Sequence, residues 1–231
     1  MARFLVIGAG GGIGQGVVKQ LKHEGHECIT TARTTQKIQP DHILDATDFQ
    51  AVDDVFAASG TLDGVVNCAG SLLLKPAHLT SIQEFQHTIS ASLTTSFAVV
   101  RAASQHMKGG SVVLIGSAAA EIGLANHEAI AAAKAGIVGL AKSAAATYAH
   151  LGLRFNVVEP GLTETPLTLA LTQNEMVKKG SIAMHPLARL GRVEDIAQAI
   201  VFFLNPENSW ITGQHLAVDG GLSGIKLRAK V

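Results

Sequence analysis

In the stretch "NHEAIAAAKAG", residues 126 to 136, Ile130 and Lys134 are four positions apart, one helical turn, so both side chains lie on one face. Lys134 offers a positive charge that can stabilise an oxygen as it becomes negative, whereas Ile130 has no proton to give. His127 and Glu128 stand three and two positions before Ile130. His127 is expected on the helical face of Ile130, and histidine is the side-chain type suited to proton transfer under physiological conditions, which makes it the better candidate proton donor. Asn126 reads as the helix N-cap, with Glu128 in the first turn where the helix dipole stabilises a carboxylate. Ser117 closes the apolar run "VVLIGS". Its hydroxyl therefore stands at the carboxyl end of a strand, where α/β sheets bind their ligands. A hydroxyl donor, a fixed positive charge and an imidazole can between them bind a polar ligand group and exchange a proton with it.

A second cluster suits a phosphate. "VIGAGGGIGQG" runs from a strand into a helix and carries Gly8, Gly12 and Gly14, with Ile13 between the last two. Glycines so placed let backbone amides approach a pyrophosphate at a helix N-terminus, where the dipole favours negative charge. The second strand-like run ends in "TTARTTQ", with Ala32 and Arg33 where an acidic residue would hold the adenosine ribose hydroxyls. A 2′-phosphate needs a cation and is repelled by a carboxylate, so the expected cofactor is NADP(H) in preference to NAD(H). Gln15 supplies no second charge.

The elements that must position these groups follow from hydrophobic periodicity. Strand-like runs "RFLVIG", "ECITTA", "HILDA", "GVVNCA", "SVVLIGS", "RFNVVEP" and "HLAVDG" alternate with about six segments of helical spacing. The fold class expected is α/β: a single doubly wound Rossmann-type domain over residues 1–231, with a seven-stranded parallel sheet and helices on both faces. The least patterned segment, about 162–186, is expected to close over a ligand as a substrate lid. A chain of 231 residues that is 47% hydrophobic suffices for one sizeable core. Eighteen basic and eighteen acidic residues cancel, which argues against a nucleic-acid or membrane partner, and the basic "KLRAK" tail is short. Cys28 and Cys68 lie in apolar runs without a C-x-x-C pattern, so they read as core residues; no metal site is expected. With a strand beginning by residue 3 and no apolar run of transmembrane length, the chain is expected to be cytoplasmic.

Taken in order, these motifs resemble the short-chain dehydrogenase/reductase family along nearly the whole chain. Asp45 in "LDATD" is similar to the family's adenine-contacting aspartate. "NCAG" at Asn67 to Gly70, including Ala69, is similar to its Asn-Asn-Ala-Gly after the fourth strand. "EPGLTETP" contains Pro160, Gly161 and Thr165, and the resemblance implies that Thr165 contacts the nicotinamide carboxamide. It also implies that Lys134 holds the nicotinamide ribose, that "VDGG" ends the seventh strand at a subunit contact, and that two long helices pair in a homodimer or homotetramer. The family's catalytic Asn, Ser, Tyr and Lys are reduced to Ser117 and Lys134: Ile130 holds the tyrosine position and Ser92 the asparagine position. Tyr148, the only tyrosine, lies eighteen residues after Ile130, too far along the same helix to substitute. The activity implied is a carbonyl/alcohol oxidoreductase acting on a small molecule, the alternative being a cofactor-binding protein without turnover. His185, at the end of the lid segment, is a further proton-donor candidate. Leu72, Leu73, Leu74, Leu167, Leu169 and Leu171 suggest an apolar pocket.

Overall fold

The computed structural model describes residues 1–226, so all of the basic tail after Lys226 lies outside the described residues. The apolar runs form β1 (Arg3–Ile7), β2 (Glu27–Ala32), β3 (His42–Ile43), β4 (Gly64–Asn67), β5 (Gly110–Ile115), β6 (Leu153–Pro160) and β7 (His215–Val218). They make one sheet in the order β3-β2-β1-β4-β5-β6-β7, every pairing parallel. Growth of the sheet reverses between β1 and β4, and that switch point opens a crevice at the strands' carboxyl ends.

The helices are α1 (Gly12–His23), α2 (Phe49–Ala58), α3 (Ile82–Ile89), α4 (Thr95–His106), α5 (Glu128–Tyr148), α6 (Leu169–Thr172), α7 (Glu175–Met184) and α8 (Val193–Leu204). Strand residues alternate between two cores, as expected for a sheet covered on both faces. Leu5, Val65, Leu114, Phe155 and Val157 meet Phe56, Val99 and Ile137 of α2, α4 and α5. Phe4, Val6, Val66, Val113 and Val158 meet Val17, Leu21, Ile196 and Ile200 of α1 and α8.

The structure departs from several local expectations. The run "HILDA" yields only two residues of strand. Asp41 accepts from Thr30 N at 2.8 Å and Thr30 Oγ1 at 2.7 Å, and Asp45 turns the chain by accepting from Thr47 N at 3.0 Å. The helical stretch that begins after Ser81 is not continuous: a π-helical turn, Ser90–Thr94, separates α3 from α4. There Thr95 Oγ1 and Ser96 Oγ donate to Ser92 O at 3.0 and 2.8 Å, side-chain bonds that compete with the backbone ladder. The least patterned segment, 162–186, contains α6 and α7. Finally, α5 with the turn that follows it, Glu128–Leu151, is long and apolar enough by length and composition to cross a membrane. Here its Ile130, Ala133, Ile137, Ala141 and Ala144 are buried within the fold, so its apolar character belongs to the core.

Candidate active site

Lys134 is pinned where β4 and β5 end. Its Nζ donates to Ile115 O at 2.8 Å, and a Cβ on Gly70 would stand 3.6 Å from it. The residue is only 7% exposed, and burial pulls its pKa from 10.5 down to about 8. The nearby Cys68 acts in the opposite direction, though burial pushes that thiol up to about 12, so it stays neutral. One of the three ammonium donors is spent on the sheet, which leaves two for a bound group.

Ser117 follows β5 in extended backbone. Its Oγ accepts from Ala119 N at 3.2 Å and starts the 3-10 turn Ala118–Ala120, leaving its own hydrogen free to donate. Ile130 is 3% exposed and shares the buried stripe of α5 with Lys134, so the position is filled by hydrocarbon. Tyr148 ends α5, its ring 6.0 Å from that of Phe155, and fourteen residues beyond Lys134 correspond to roughly 20 Å of helix.

The polar surroundings are spoken for by the fold. Asn67 Nδ2 donates to Thr95 Oγ1 at 3.3 Å and Ser96 Oγ at 3.2 Å, while its Oδ1 accepts from Ala69 N at 3.1 Å. Its side chain thus ties β4 to α4. Ser92 is fully buried, and its Oγ has no hydrogen-bond partner among the described residues.

Asn126 is not the N-cap of α5. It adopts a left-handed φ of 65°, its carbonyl accepts from Lys75 N at 2.8 Å, and His127 holds the cap position without a side-chain cap bond. An asparagine tolerates this conformation where most residues do not. The His127 ring is half-buried, with Nδ1 2.7 Å from Ala125 O and Nε2 unengaged. Glu128 begins the helix and accepts from Ala77 N at 3.4 Å. His185 is buried, its Nδ1 2.6 Å from Ser181 O and its Nε2 packed where a Cβ on Gly161 would fall.

The glycine turn has the shape that a dinucleotide requires. Gly8 has φ +74°, and a Cβ there would stand 2.8 Å from Ala69 N, so the turns after β1 and β4 touch. A Cβ on Gly14 would be 2.5 Å from Gly8 O, and one on Gly12 would meet Thr165 Cβ at 3.0 Å. Gly11 caps α1 without a side-chain bond, so the first amides of α1, including that of the half-buried Ile13, are left for an anion. Pro160 ends β6, and after Gly161 the chain runs to Thr165 opposite this turn. Arg33 and Asp45 are both exposed at the far side of β2. Hydrogen bonds from Thr47 hold Asp45 below the usual carboxylate range, with a smaller contribution from the Arg33 charge. The donors and the open cradle fit a nicotinamide dinucleotide.

A family model described as enoyl-(acyl carrier protein) reductase matches residues 8–223. The 3-oxoacyl-[acyl-carrier-protein] reductase MabA of Mycobacterium tuberculosis is 33% identical over 94% of this chain and 91% of its own length. A short-chain type dehydrogenase/reductase from Mycobacterium ulcerans superposes with a TM-score of 0.90 at 28% identity, covering 96% of this chain and 90% of that one. The chain belongs to the short-chain dehydrogenase/reductase family. Another solved relative, ElxO with NADP bound, has a TM-score of 0.88 at 27% identity over 96% of this chain and 99% of its own. The protein is therefore an oxidoreductase of this family, built to hold a nicotinamide cofactor. Sequence reasoning missed that Cys68 is the neutral neighbour of Lys134; its place in "NCAG" was the available signal.

Proposed function

We propose that the chain is an NADP(H)-dependent oxidoreductase that interconverts a carbonyl and an alcohol with Ser117 and Lys134 but without a tyrosine. The observation that carries this reading is the buried Lys134 ammonium, held at the ends of β4 and β5 with two donors to spare. The cofactor, when bound over the glycine turn, supplies or accepts the hydride. Gly8, Gly12, Ile13 and Gly14 approach the pyrophosphate, Arg33 takes the 2′-phosphate and Asp45 the adenine. Asn67, Ala69, Gly70, Pro160, Gly161 and Thr165 line the nicotinamide end. Lys134 binds ribose hydroxyls, and its charge stabilises the oxygen that becomes negative. The Ser117 hydroxyl donates to the same oxygen.

The proton comes from His127. Nδ1–H donates to Ala125 O, so Nε2 releases the proton as the ring passes from imidazolium to neutral imidazole. A proton donor so positioned contributes about 10²- to 10⁴-fold to the rate. The substrate is a small carbonyl compound, and the name of the MabA relative supports a 3-oxoacyl thioester as the first to try. In this reading residues 1–231 work as one domain and the segment 162–186 acts as a lid. Its exposed Leu167 and Leu169 supply apolar contact, with Leu171 and the half-buried Leu72 to Leu74 beside the substrate. A homodimer or homotetramer forms across α4 and α5, supported by the exposed Phe97 on α4. Two unpaired cysteines suit a reducing, cytoplasmic setting.

A second reading, a cofactor-binding protein without turnover, is favoured by the hydrocarbon at Ile130 and by the use of Ser117 Oγ as a turn acceptor. A structure of a tyrosine-to-phenylalanine variant of ElxO contains NADPH, which supports cofactor binding in this fold without one of its tyrosines. Fluorescence titration with NADPH, followed by NADPH oxidation in the presence of 3-oxoacyl thioesters and simple ketones, separates the two readings. Binding with oxidation supports the first, and binding without oxidation the second.

A further inference from the structure

Glu159 is a carboxylate in the middle of a buried strand. β6 is buried along nearly its whole length, and the Glu159 side chain is 1% exposed. A charge in that setting demands a partner. Its Oε2 lies 3.0 Å from Nδ1 of His215, the first residue of β7, while its Oε1 is buried with no hydrogen-bond partner among the described residues. Glu121, in the loop four residues after Ser117, brings Oε1 to 3.5 Å from the same His215 Nδ1. One ligand atom from each of the three residues lies within 4.8 Å of the others. Gly116 makes the room: a Cβ there would come within 2.7 Å of Glu159 Cγ.

We propose that Glu121, Glu159 and His215 form a binding site for one divalent transition-metal ion, best matched by Zn²⁺. Zinc bonds of about 2.0–2.1 Å in a tetrahedron set neighbouring ligand atoms roughly 3.3 Å apart. The 3.0 and 3.5 Å separations around His215 Nδ1 bracket that edge. Two carboxylates neutralise the ion, and the ion removes the cost of burying Glu159. The exposed Glu121 side leaves a fourth position for water. An imidazole ligand and a compact set of three donors suit zinc better than Mg²⁺, which prefers an octahedron of oxygens. The rival occupant is a proton. Burial raises the Glu159 pKa against the hydrogen bond from His215, and the Glu121 charge raises it further. A bound ion would fasten the loop that follows Ser117 to β6 and β7, a positioning role that stands whatever the substrate proves to be.

The test is zinc binding to the chelator-treated full chain, measured by competition with a chromophoric chelator and by elemental analysis, with melting temperature followed in parallel. The expected result is one Zn²⁺ per chain, a higher melting temperature with zinc, and no competition from excess Mg²⁺. The variants Glu121→Gln, Glu159→Gln and His215→Ala should each lose at least about 10- to 100-fold in affinity, the loss that even outer-sphere changes produce. Glu121 is exposed, so its variant keeps the test valid if a buried substitution fails to fold. NADPH titration checks folding of all three. Less than one zinc per wild-type chain overturns the proposal, as does unchanged affinity in Glu121→Gln or in a folded Glu159→Gln or His215→Ala.

Discussion

Replacing Lys134 by methionine should change stability relative to wild type by an amount that reverses sign with pH. The fall from 10.5 to about 8 corresponds, at about 1.4 kcal/mol per tenfold change in proton affinity, to about 3 kcal/mol against the charged, buried form. Below about pH 8 the side chain is protonated in both folded and unfolded chains, and that cost is present in full. Between about pH 8 and 10.5 the folded chain has released the proton and the unfolded chain still holds it, so stability rises with pH. Above 10.5 both forms are neutral and the cost is gone. Methionine removes the charge but leaves Ile115 O without its donor, a loss of about 1 kcal/mol. Lys134→Met should therefore be more stable than wild type by about 2 kcal/mol at pH 7 and less stable by about 1 kcal/mol near pH 11. Urea unfolding of the cofactor-free proteins at both pH values, followed by circular dichroism, measures the difference directly. Groups distant from Lys134 titrate alike in both proteins and cancel, and its neighbour Cys68, pushed up to about 12 by burial, stays mostly neutral at both pH values. A stability difference that does not change with pH would refute the assignment of a burial-depressed lysine.

The other expectations are simpler. Gly14→Ala places a Cβ 2.5 Å from Gly8 O, so it should distort the turn and weaken NADPH binding by at least about tenfold, read by fluorescence titration. Arg33→Ala should lower the preference for NADPH over NADH by roughly ten- to a hundredfold, the worth of one charge-assisted phosphate contact. Equal affinities of wild type for the two cofactors would contradict that reading. Light scattering at micromolar concentration should show a homodimer or homotetramer, and Phe97→Asp should shift the population toward the 24.0 kDa chain.

Much of the architecture was legible because the signals are local. The glycine turn follows a strand and opens a helix, and each strand is a short apolar run. What failed were features set by side chains reaching backward. Asp45 accepts from Thr47 and turns the chain where β3 would have continued, and Thr95 and Ser96 rewrite the helix around Ser92. Asn126 has the residue type of a helix cap, but its carbonyl accepts from Lys75 N–H and the residue adopts a left-handed turn. The Glu121, Glu159 and His215 cluster depends on the register that sets Val157 beside His215, which no stretch of sequence reveals. A charged residue inside "NVVEP" was the one local hint.

The most direct test of the central claim is NADPH oxidation with a 3-oxoacyl thioester by wild type, Ser117→Ala, His127→Ala and Ile130→Tyr, with melting temperature as the fold control. The account predicts measurable wild-type turnover, lowered by about 10²-fold or more in Ser117→Ala and in His127→Ala, and not strongly raised by Ile130→Tyr. Turnover unaffected by His127→Ala would contradict the assigned donor. NADPH binding with no wild-type oxidation of any carbonyl, and activity appearing only in Ile130→Tyr or its combination with Ser92→Asn, would contradict the oxidoreductase reading itself.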